Sequence, residues 1–462
     1  MHFMIKILKW GAIVFLVVVL AIPALLLAIN AIDEDLKPEV AAFAQPFKPR
    51  FSDKENAYYA IMGFLAAEGQ DPHVVGRRIV AEYESQLAKD PLLSGFKREL
   101  YLGGPKLVEK GKVRELCDLQ KGPCSLANYV AKEAEIERML MDNRVLFERY
   151  RLLYTYPHFE EAATPTLAEP APSYPVIIAL LSNGEIAIKV KRGETAKALD
   201  MLEQDILFWR RVLSESRAVV TKAVAASVLH RDYHLLSEIL NSDADVAKSH
   251  YEQLARMTAL LNQDELNIKE GVRRAFLDGN DAVNRNYMEM RREPFRNPSA
   301  IIPNWAWPFY HPNASINQDY EAIKMHAELA AMPAFQFVKE REQTRNRINA
   351  HFDFEENLGW HTLYNPVGKF LNSISGRGDF SDYIARMHDL DGYVRLVALH
   401  LQIRSKGLAD AEIPGFLQTT DKRYVDSYTT QPMQWDAKQR LLFFNGLSTR
   451  FGKDGVVGVR VD

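Results

Sequence analysis

The sequence has only two cysteines among its 462 residues, and it contains no block of like charges and no low-complexity tract. Its 57 basic and 60 acidic side chains nearly cancel, which leaves a formal net charge of −3. A chain without a basic excess has no general attraction for nucleic acid, so we expect no nucleic-acid partner. The hydrophobic content of 47% instead fits a globular protein, and the length predicts two or three packed units.

Motifs of common catalytic chemistry are also missing. The sequence contains no G-x-S-x-G nucleophile elbow, and no Ser/His/Asp set stands in a recognisable frame. We therefore predict no cofactor, assign no catalytic residue and favour a non-catalytic protein.

A long apolar run is present near the N-terminus. Residues 10–29 carry no charged side chain. A helix of about 20 residues crosses the ~30 Å hydrocarbon layer of a bilayer, and this run has that length. We predict a single transmembrane helix over residues 10–31, a signal-anchor that holds the chain in the lipid bilayer. The alternative is a cleaved signal peptide, whose apolar region is normally shorter, about 7–15 residues.

Charges on either side of the run predict its orientation. Lys6 and Lys9 precede it, and Asp33, Glu34 and Asp35 follow it. Lysine on a short flank keeps that flank in the cytoplasm. We therefore expect a cytoplasmic flank over residues 1–9, a bacterial inner-membrane location and a periplasmic body.

The two cysteines, Cys117 and Cys124, are separated by six residues that include a Gly-Pro turn. Outside the cytoplasm the compartment is oxidising, so we predict a structural disulfide between them. A redox pair usually has the spacing C-x-x-C, and a zinc site needs more ligands than two.

Apolar residues at three- and four-residue spacing predict a mainly α fold, with a helical bundle or solenoid-like body. In the tail, MQWDAKQRLLFF and VVGVRV carry β-branched and aromatic residues around likely turns, which predicts a small C-terminal β-hairpin or sheet. A helix start is marked by Asp71-Pro72, an N-cap followed by proline. Proline-rich and polar breaks give the remaining boundaries: an extended linker over 32–51, a helical subdomain with the cysteine loop over 52–160, an antiparallel helical array over 176–292, a proline- and aromatic-rich connection over 293–318, a helical subdomain over 319–410 and a β tail over 411–462.

The C-terminal stretch resembles a module of uncharacterised, membrane-anchored proteobacterial proteins, in which a helix is followed by a D-P-[FY]-[TS]-G-x-P turn and β strands. Four positions match this turn, at Asp426, Tyr428, Thr429 and Pro432. Ser427 and Thr430 depart from it, which removes the pattern's proline and glycine. The segments NAYYAIMGF, HPNASIN and NPVGKFL resemble the same family. The resemblance implies an anchored body with a β tail, and it carries no activity.

Three side chains on one predicted helix have metal-ligand spacing. His230, His234 and Glu238 stand four residues apart, and two imidazoles at that spacing can share a metal ion. The glutamate of an H-E-x-x-H motif is missing, so we favour an ordinary surface helix over a metal site.

A second metal hypothesis follows the order of ligands in all-α metal phosphohydrolases. Its residues would be His361, His388, Asp389 and Asp426. A single His-Asp pair is a common chance event. The alternative, which we favour, is that Asp389 and Asp391 support a helix turn by pairing with Arg386 or Arg395.

An aromatic cluster lies in the proline-rich connection, at Trp305, Trp307, Phe309 and Tyr310. In a helical protein such a cluster either fills the core or forms an exposed surface for a partner. We favour the core and keep the four residues as partner-binding candidates.

Together these features predict a non-catalytic, membrane-anchored envelope protein, a scaffold or partner-binding module whose partner would be another envelope protein. The alternative is a metal-dependent envelope hydrolase that acts on a cell-wall or phosphoester substrate.

Overall fold

The computed structural model of the chain describes residues 10, 17, 20–90, 96–116, 124–164, 174–243, 245–292, 304–353, 359–375, 379–448, 450–452 and 455–462. Helix accounts for 68% of the structure, and a three-stranded antiparallel sheet lies near the C-terminus. The predicted mainly α fold with a small C-terminal sheet is therefore confirmed.

The chain folds as two compact units, and each is assembled from separate stretches of sequence. Unit 1 comprises Met1–Pro46, Phe276–His326 and Glu342–Asp379. Unit 2 comprises Phe47–Ala275, Ala327–Arg341 and Phe380–Asp462.

The described α-helices are α1 (Pro38–Phe43), α2 (Ala57–Met62), α3 (Pro72–Lys89), α4 (Leu126–Ala131), α5 (Glu133–Asp142), α6 (Arg144–Leu153), α7 (Tyr174–Lys191), α8 (Thr195–Glu215), α9 (Val219–Ser242), α10 (Val246–Ser249), α11 (Tyr251–Met257), α12 (Gln263–Leu266), α13 (Lys269–Arg292), α14 (Pro312–Ala330), α15 (Ala334–Phe352), α16 (Pro366–Ser375), α17 (Ser381–Lys406) and α18 (Ile413–Thr419). Short 3-10 segments cover Asp53–Glu55, Arg98–Tyr101, Val113–Leu116, Asn304–Phe309, Trp360–Leu363 and Lys422–Tyr424.

Helix α3 begins where its sequence predicts. The Asp71 carboxylate accepts hydrogen bonds from the amides of His73 and Val74, and Pro72 occupies the first helical position. Helix α2 crosses α3 at a glycine contact. A Cβ on Gly76 would lie 1.7 Å from the carbonyl oxygen of Tyr59, so this close approach requires glycine.

A buried arginine closes the loop between α2 and α3. The Arg149 guanidinium donates to four carbonyl oxygens at 2.6–2.9 Å. Its acceptors are Phe64, Ala66, Ala67 and Gln70. A guanidinium has several donors in a fixed plane, which allows one side chain to satisfy a turn that carries no helical hydrogen bonds.

The core of unit 2 forms around α9, which packs against α8 and α17. Most residues of α9 are buried on every face. Polar atoms in this core are paired in chains. The Trp209 indole donates to the Tyr150 hydroxyl at 2.9 Å, and that hydroxyl donates to Asp205 at 2.6 Å.

The sheet consists of β1 (Gln434–Asp436), β2 (Leu441–Asn445) and β3 (Val456–Arg460), in the order β1-β2-β3. Alternate residues of β2 and β3 are buried, as a half-buried antiparallel sheet requires. Phe444 of β2 meets α17 at Gly392, where a Cβ would lie 2.4 Å from the ring. The predicted β tail over 411–462 therefore holds the sheet, although its first part is helix α18.

In unit 1, the predicted extended linker over 32–51 contains a helix and contacts the rest of the unit. Val40 of α1 is fully buried. The Lys37 amide donates to the Asn317 side chain at 3.0 Å. The prediction of an extended spacer is wrong for this part. Its prolines indicated an extended chain, but Pro38 occupies the start of a short helix, where proline is tolerated.

Residues 20–29 are helical, and Leu20, Ile22, Leu25 and Leu27 in this stretch are each more than half exposed. Among the described residues, no helix is long and apolar enough to cross a membrane. Residues 1–9, 11–16 and 18–19, which include much of the predicted anchor, lie outside the described residues. The transmembrane helix therefore stays a prediction.

The predicted disulfide also stays a prediction. Cys124 is buried just before α4. Cys117 lies in the segment 117–123, outside the described residues.

Candidate ligand cavity

Unit 2 contains a cavity of about 440 Å³. Its walls come from the end of α14 and the start of α15, from two turns of α17, from the α12 region and from the segment that leads into the sheet. The lining residues are Gln263, Leu266, Asn267, Ala330, Ala331, Met332, Pro333, Ala334, Phe335, His388, Asp391, Arg395, Lys422, Val425, Asp426, Ser427 and Thr430.

The turn between α14 and α15 gives the cavity much of its apolar wall. Met332 and Pro333 interrupt two helices that would otherwise run on, because proline disfavours helical geometry in the residue before it. Ala331, Pro333 and Phe335 are exposed at this turn. Apolar side chains are therefore held on an open wall of the cavity.

An ion pair stands on the α17 side. The Arg395 and Asp391 side chains lie 2.7 Å apart, one helical turn from each other. Arg395 also donates to the carbonyl oxygen of Val425 at 3.3 Å, which fixes the guanidinium to the next wall. Burial raises the pKa of Asp391, while Arg395 lowers it. This places the pair predicted from sequence on a ligand-sized cavity.

Three of the lining residues each have a buried polar atom with no hydrogen-bond partner among the described residues. These atoms are the Nε2 atom of His388, the Oδ1 atom of Asp391 and the Oγ atom of Ser427. Burial lowers the pKa of His388 to about 4, so its imidazole is neutral at pH 7. A buried polar atom without a partner costs about 1–3 kcal/mol, and a ligand that supplies the partner recovers that energy.

Asp389, the neighbour of His388 in the phosphohydrolase hypothesis, is absent from the cavity lining. Its carboxylate accepts from the Tyr428 hydroxyl at 2.6 Å and from the amides of Leu447 and Ser448 at 3.1 and 2.7 Å. Burial raises the pKa of Asp389 to about 6. Its contacts are those of a residue that joins α17 to the C-terminal turn and sheet.

Asp426 does line the cavity, and it also shapes the turn that resembles the family pattern. Its carboxylate accepts from the Tyr428 amide at 2.9 Å and from the Thr429 hydroxyl at 2.6 Å. The structure thus places His388 and Asp426 on one cavity but Asp389 elsewhere. The side chain of His361, the remaining member of that hypothesis, lies outside the described residues.

The face with metal-ligand spacing on α9 is packed into the protein. His230 stacks on Phe451 at 4.5 Å between ring centroids, and burial lowers its pKa to about 3. The Nδ1 atom of His234 lies 3.2 Å from the Tyr393 hydroxyl. Glu238 is half-buried, and burial raises its pKa. The prediction of a surface helix is wrong here, because α17 covers this face.

In the described stretches of the chain, no cluster brings together three His, Cys, Asp or Glu side chains that could hold a metal ion.

The aromatic connection contributes to the core of unit 1. Trp307 and Tyr310 are buried, and their rings meet edge to face with centroids 5.6 Å apart. Phe309 is partly buried against the same cluster. The side chain of Trp305 lies outside the described residues. Burial of Trp307 and Tyr310 favours a core role for these two residues over partner binding.

Of the predicted pairing of Asp389 and Asp391 with Arg386 or Arg395, the Asp391–Arg395 pair is confirmed. The pairing of Asp389 is wrong, because its carboxylate accepts from Tyr428 and two backbone amides instead. The cavity beside the ion pair was missed. One signal was available: a charged pair at four-residue spacing within the largely apolar helical stretch DGYVRLVALHL, residues 391–401. A buried helix rarely carries such a pair without a structural or binding role.

No protein-family model, no curated protein and no solved structure matches this chain. We therefore argue its function from the chemistry of its own residues.

Proposed function

We propose that this chain is a non-catalytic binding protein of the bacterial envelope, held in the inner membrane by residues 10–31, with a periplasmic body that takes a ligand into the unit 2 cavity. The apolar run and its lysine flank support the anchor. The exposed leucines and isoleucine of residues 20–29 agree with a helix whose surroundings are lipid.

The proposal of ligand binding is supported chiefly by buried polar atoms without a described partner in residues that line a largely apolar cavity. His388 and Asp391 each keep one buried polar atom without a partner among the described residues. A volume of about 440 Å³ falls in the range of about 300–1,000 Å³ that is usual for ligand pockets. The ligand would have an apolar body and one end with both a donor and an acceptor, such as a hydroxyl or amide group.

Either a small molecule or a protruding side chain of an envelope partner has this chemistry. A metal-dependent hydrolase of the predicted kind would need Asp389 as a metal ligand. Its carboxylate instead accepts hydrogen bonds from Tyr428, Leu447 and Ser448. For this reason we place binding ahead of hydrolysis.

We also propose that Cys117 and Cys124 form a disulfide in the oxidising periplasm. Alkylation of the denatured, unreduced protein tests this directly. Mass spectrometry should find neither cysteine alkylated before reduction and both alkylated after it. Alkylation of both before reduction would contradict the disulfide.

The membrane topology can be tested with alkaline phosphatase fused after Asp462, because that enzyme is active only outside the cytoplasm. We expect high phosphatase activity and a fusion protein that stays with the membrane after carbonate extraction. Low activity would contradict the periplasmic body, and release into the supernatant would contradict the anchor.

Ligand binding can be tested by photocrosslinking in living cells. Phe335, an exposed residue of the cavity wall, is replaced by p-benzoylphenylalanine, and Tyr251, exposed on α11, serves as the matched control. We expect an adduct of defined mass at position 335 that is absent at position 251. Ala331→Trp in the same chain should abolish it by filling the cavity mouth. An adduct that persists with Ala331→Trp, or no adduct above the control, would contradict the proposal.

A further inference from the structure

Helix α16 in unit 1 has one apolar face, of which one part is inside the protein and the other part is exposed. Val367 is buried, and Leu371 packs against the cluster of Trp307 and Tyr310. Phe370 and Ile374, four residues apart at the edge of the same face, are 37% and 58% exposed. Two large apolar side chains are therefore aligned on the outside of a short helix.

The start of this helix contacts the residue at which the N-terminal helical stretch ends. Asn30 comes immediately after residues 20–29 and is buried. Its amide nitrogen donates to the carbonyl oxygen of Leu363 at 2.7 Å, and its amide oxygen accepts from the Asn365 amide at 2.8 Å. Asn365 is the residue before α16. The end of the apolar stretch and the start of α16 are thus held together by a reciprocal pair of hydrogen bonds.

Further contacts hold this junction in place. The Asp33 carboxylate accepts from the amides of Asn313 and Ala314 in α14, at 2.8 and 3.2 Å. The Tyr364 hydroxyl accepts from the Glu34 amide at 2.8 Å. A chain that leaves a bilayer at Asn30 would enter unit 1 without any free spacer.

The length of α16 keeps its outer face near that junction. At about 1.5 Å per residue, Phe370 lies roughly 7.5 Å along the helix axis from Asn365, and Ile374 about 6 Å further. The helix carries no acidic residue, and its one charge is Lys369. Amphipathic helices that lie in a membrane interface bury an apolar face in this way, and acidic residues would oppose contact with anionic lipid.

We propose that Phe370 and Ile374 of α16 insert into the interface of the same bilayer that holds residues 10–31. The occupant of this face is lipid, because α16 begins at the junction where the apolar stretch ends. The proposal rests on the membrane anchor of the proposed function. It adds a second contact, which fixes the tilt of unit 1 against the membrane.

The test uses the full chain in nanodiscs of phosphatidylethanolamine and phosphatidylglycerol, with p-benzoylphenylalanine at one position at a time. Ile374 probes α16, Leu25 probes the anchor, and Leu207 is a control on α8 with comparable exposure of 50%. After irradiation, mass spectrometry counts lipid adducts on the labelled peptide. We expect adducts at positions 374 and 25 at roughly ten times the level at position 207, since both would touch acyl chains.

The three positions separate two kinds of failure. Adducts at position 25, with position 374 no higher than position 207, would overturn the α16 proposal and leave the anchor standing. The absence of adducts at position 25 would overturn the anchor itself. Equal labelling at positions 207 and 374 would show that exposure alone gives adducts, and this too would overturn the proposal.

Discussion

The Tyr428 hydroxyl donates a 2.6 Å hydrogen bond to the Asp389 carboxylate, and this bond joins the C-terminal turn to helix α17. Tyr428 is the aromatic position of the turn that resembles the proteobacterial module. Asp389 also accepts from two amides beyond the second strand. Tyr428 therefore has a structural role, because its hydrogen bond helps to hold the sheet region against α17.

Tyr428→Phe should lower the free energy of unfolding by about 1–2 kcal/mol, because it removes one buried hydrogen bond and leaves Asp389 with its amide donors. Urea unfolding of the full chain in detergent measures the change. Tyr424→Phe is the matched control at a more exposed tyrosine and should change the value by less than about 0.5 kcal/mol. Equal effects of the two substitutions would contradict a special role for Tyr428.

Gly392→Ala should lower the free energy of unfolding by about 1–3 kcal/mol, because the added methyl group meets the Phe444 ring. The same urea experiment measures the loss. Adding Phe444→Leu should restore part of it by making room.

Gly415→Ala is the control for helix propensity. A Cβ at Gly415 in α18 meets no atom within 4 Å, so we expect a gain of about 0.5–1 kcal/mol in unfolding free energy. A loss at Gly415, or no loss at Gly392, would show that contact with Phe444 does not decide these values.

His400 makes stability depend on pH. Its imidazole is fully buried, lies 2.9 Å from the Ser237 hydroxyl and has its pKa lowered by burial to about 3. The folded state therefore excludes a proton that the unfolded state binds below about pH 6.5. Stability from this group is present above that pH and is lost as the pH falls toward 3.

Between pH 7.5 and 5.0 the wild type should lose unfolding free energy. In His400→Asn this loss should be smaller by about 2 kcal/mol, because linkage predicts that amount for one proton over roughly 1.5 pH units. Urea unfolding at each pH gives both slopes. Ser237→Ala keeps the imidazole and should leave the pH slope unchanged. Parallel slopes for the wild type and His400→Asn would contradict the assignment.

Asn30→Ala should loosen the junction of unit 1 around Leu363 and Asn365. The substitution leaves a buried carbonyl and a buried amide without their partner, at a cost of about 1–3 kcal/mol. Hydrogen exchange of the full chain in nanodiscs should become about ten times faster at residues 363–368. Gln45→Ala, at an exposed position, is the control and should not change the exchange there. Unchanged exchange in Asn30→Ala would contradict the junction.

Local chemistry made part of the fold predictable. Asp71-Pro72 starts α3 because a carboxylate and a proline satisfy the first turn by themselves, whatever the rest of the chain does. The Asp391–Arg395 pair is likewise a matter of one helical turn. Aromatic and β-branched residues around turns in the last 30 positions were enough to predict a small sheet.

Other features depend on partners far along the chain. The histidine face of α9 gives no sign that α17, about 150 residues later, covers it. Arg149 looks like any surface arginine until four carbonyls of a distant turn surround it. The cavity was missed for the same reason, since its walls come from four separate stretches that no local pattern connects.

Unit 1 begins with the first residues of the chain and is finished only by the stretch Glu342–Asp379. During synthesis, which starts at the N-terminus, Asn30 and Asp33 emerge long before their partners around residues 313 and 365. Most of the chain between the first and last stretches of unit 1 belongs to unit 2. The hydrogen-bonding groups of the segment after the apolar stretch therefore lack their final partners until more than 300 further residues have been synthesised. A ribosome pause or a truncation before residue 365 would leave the N-terminal junction incomplete.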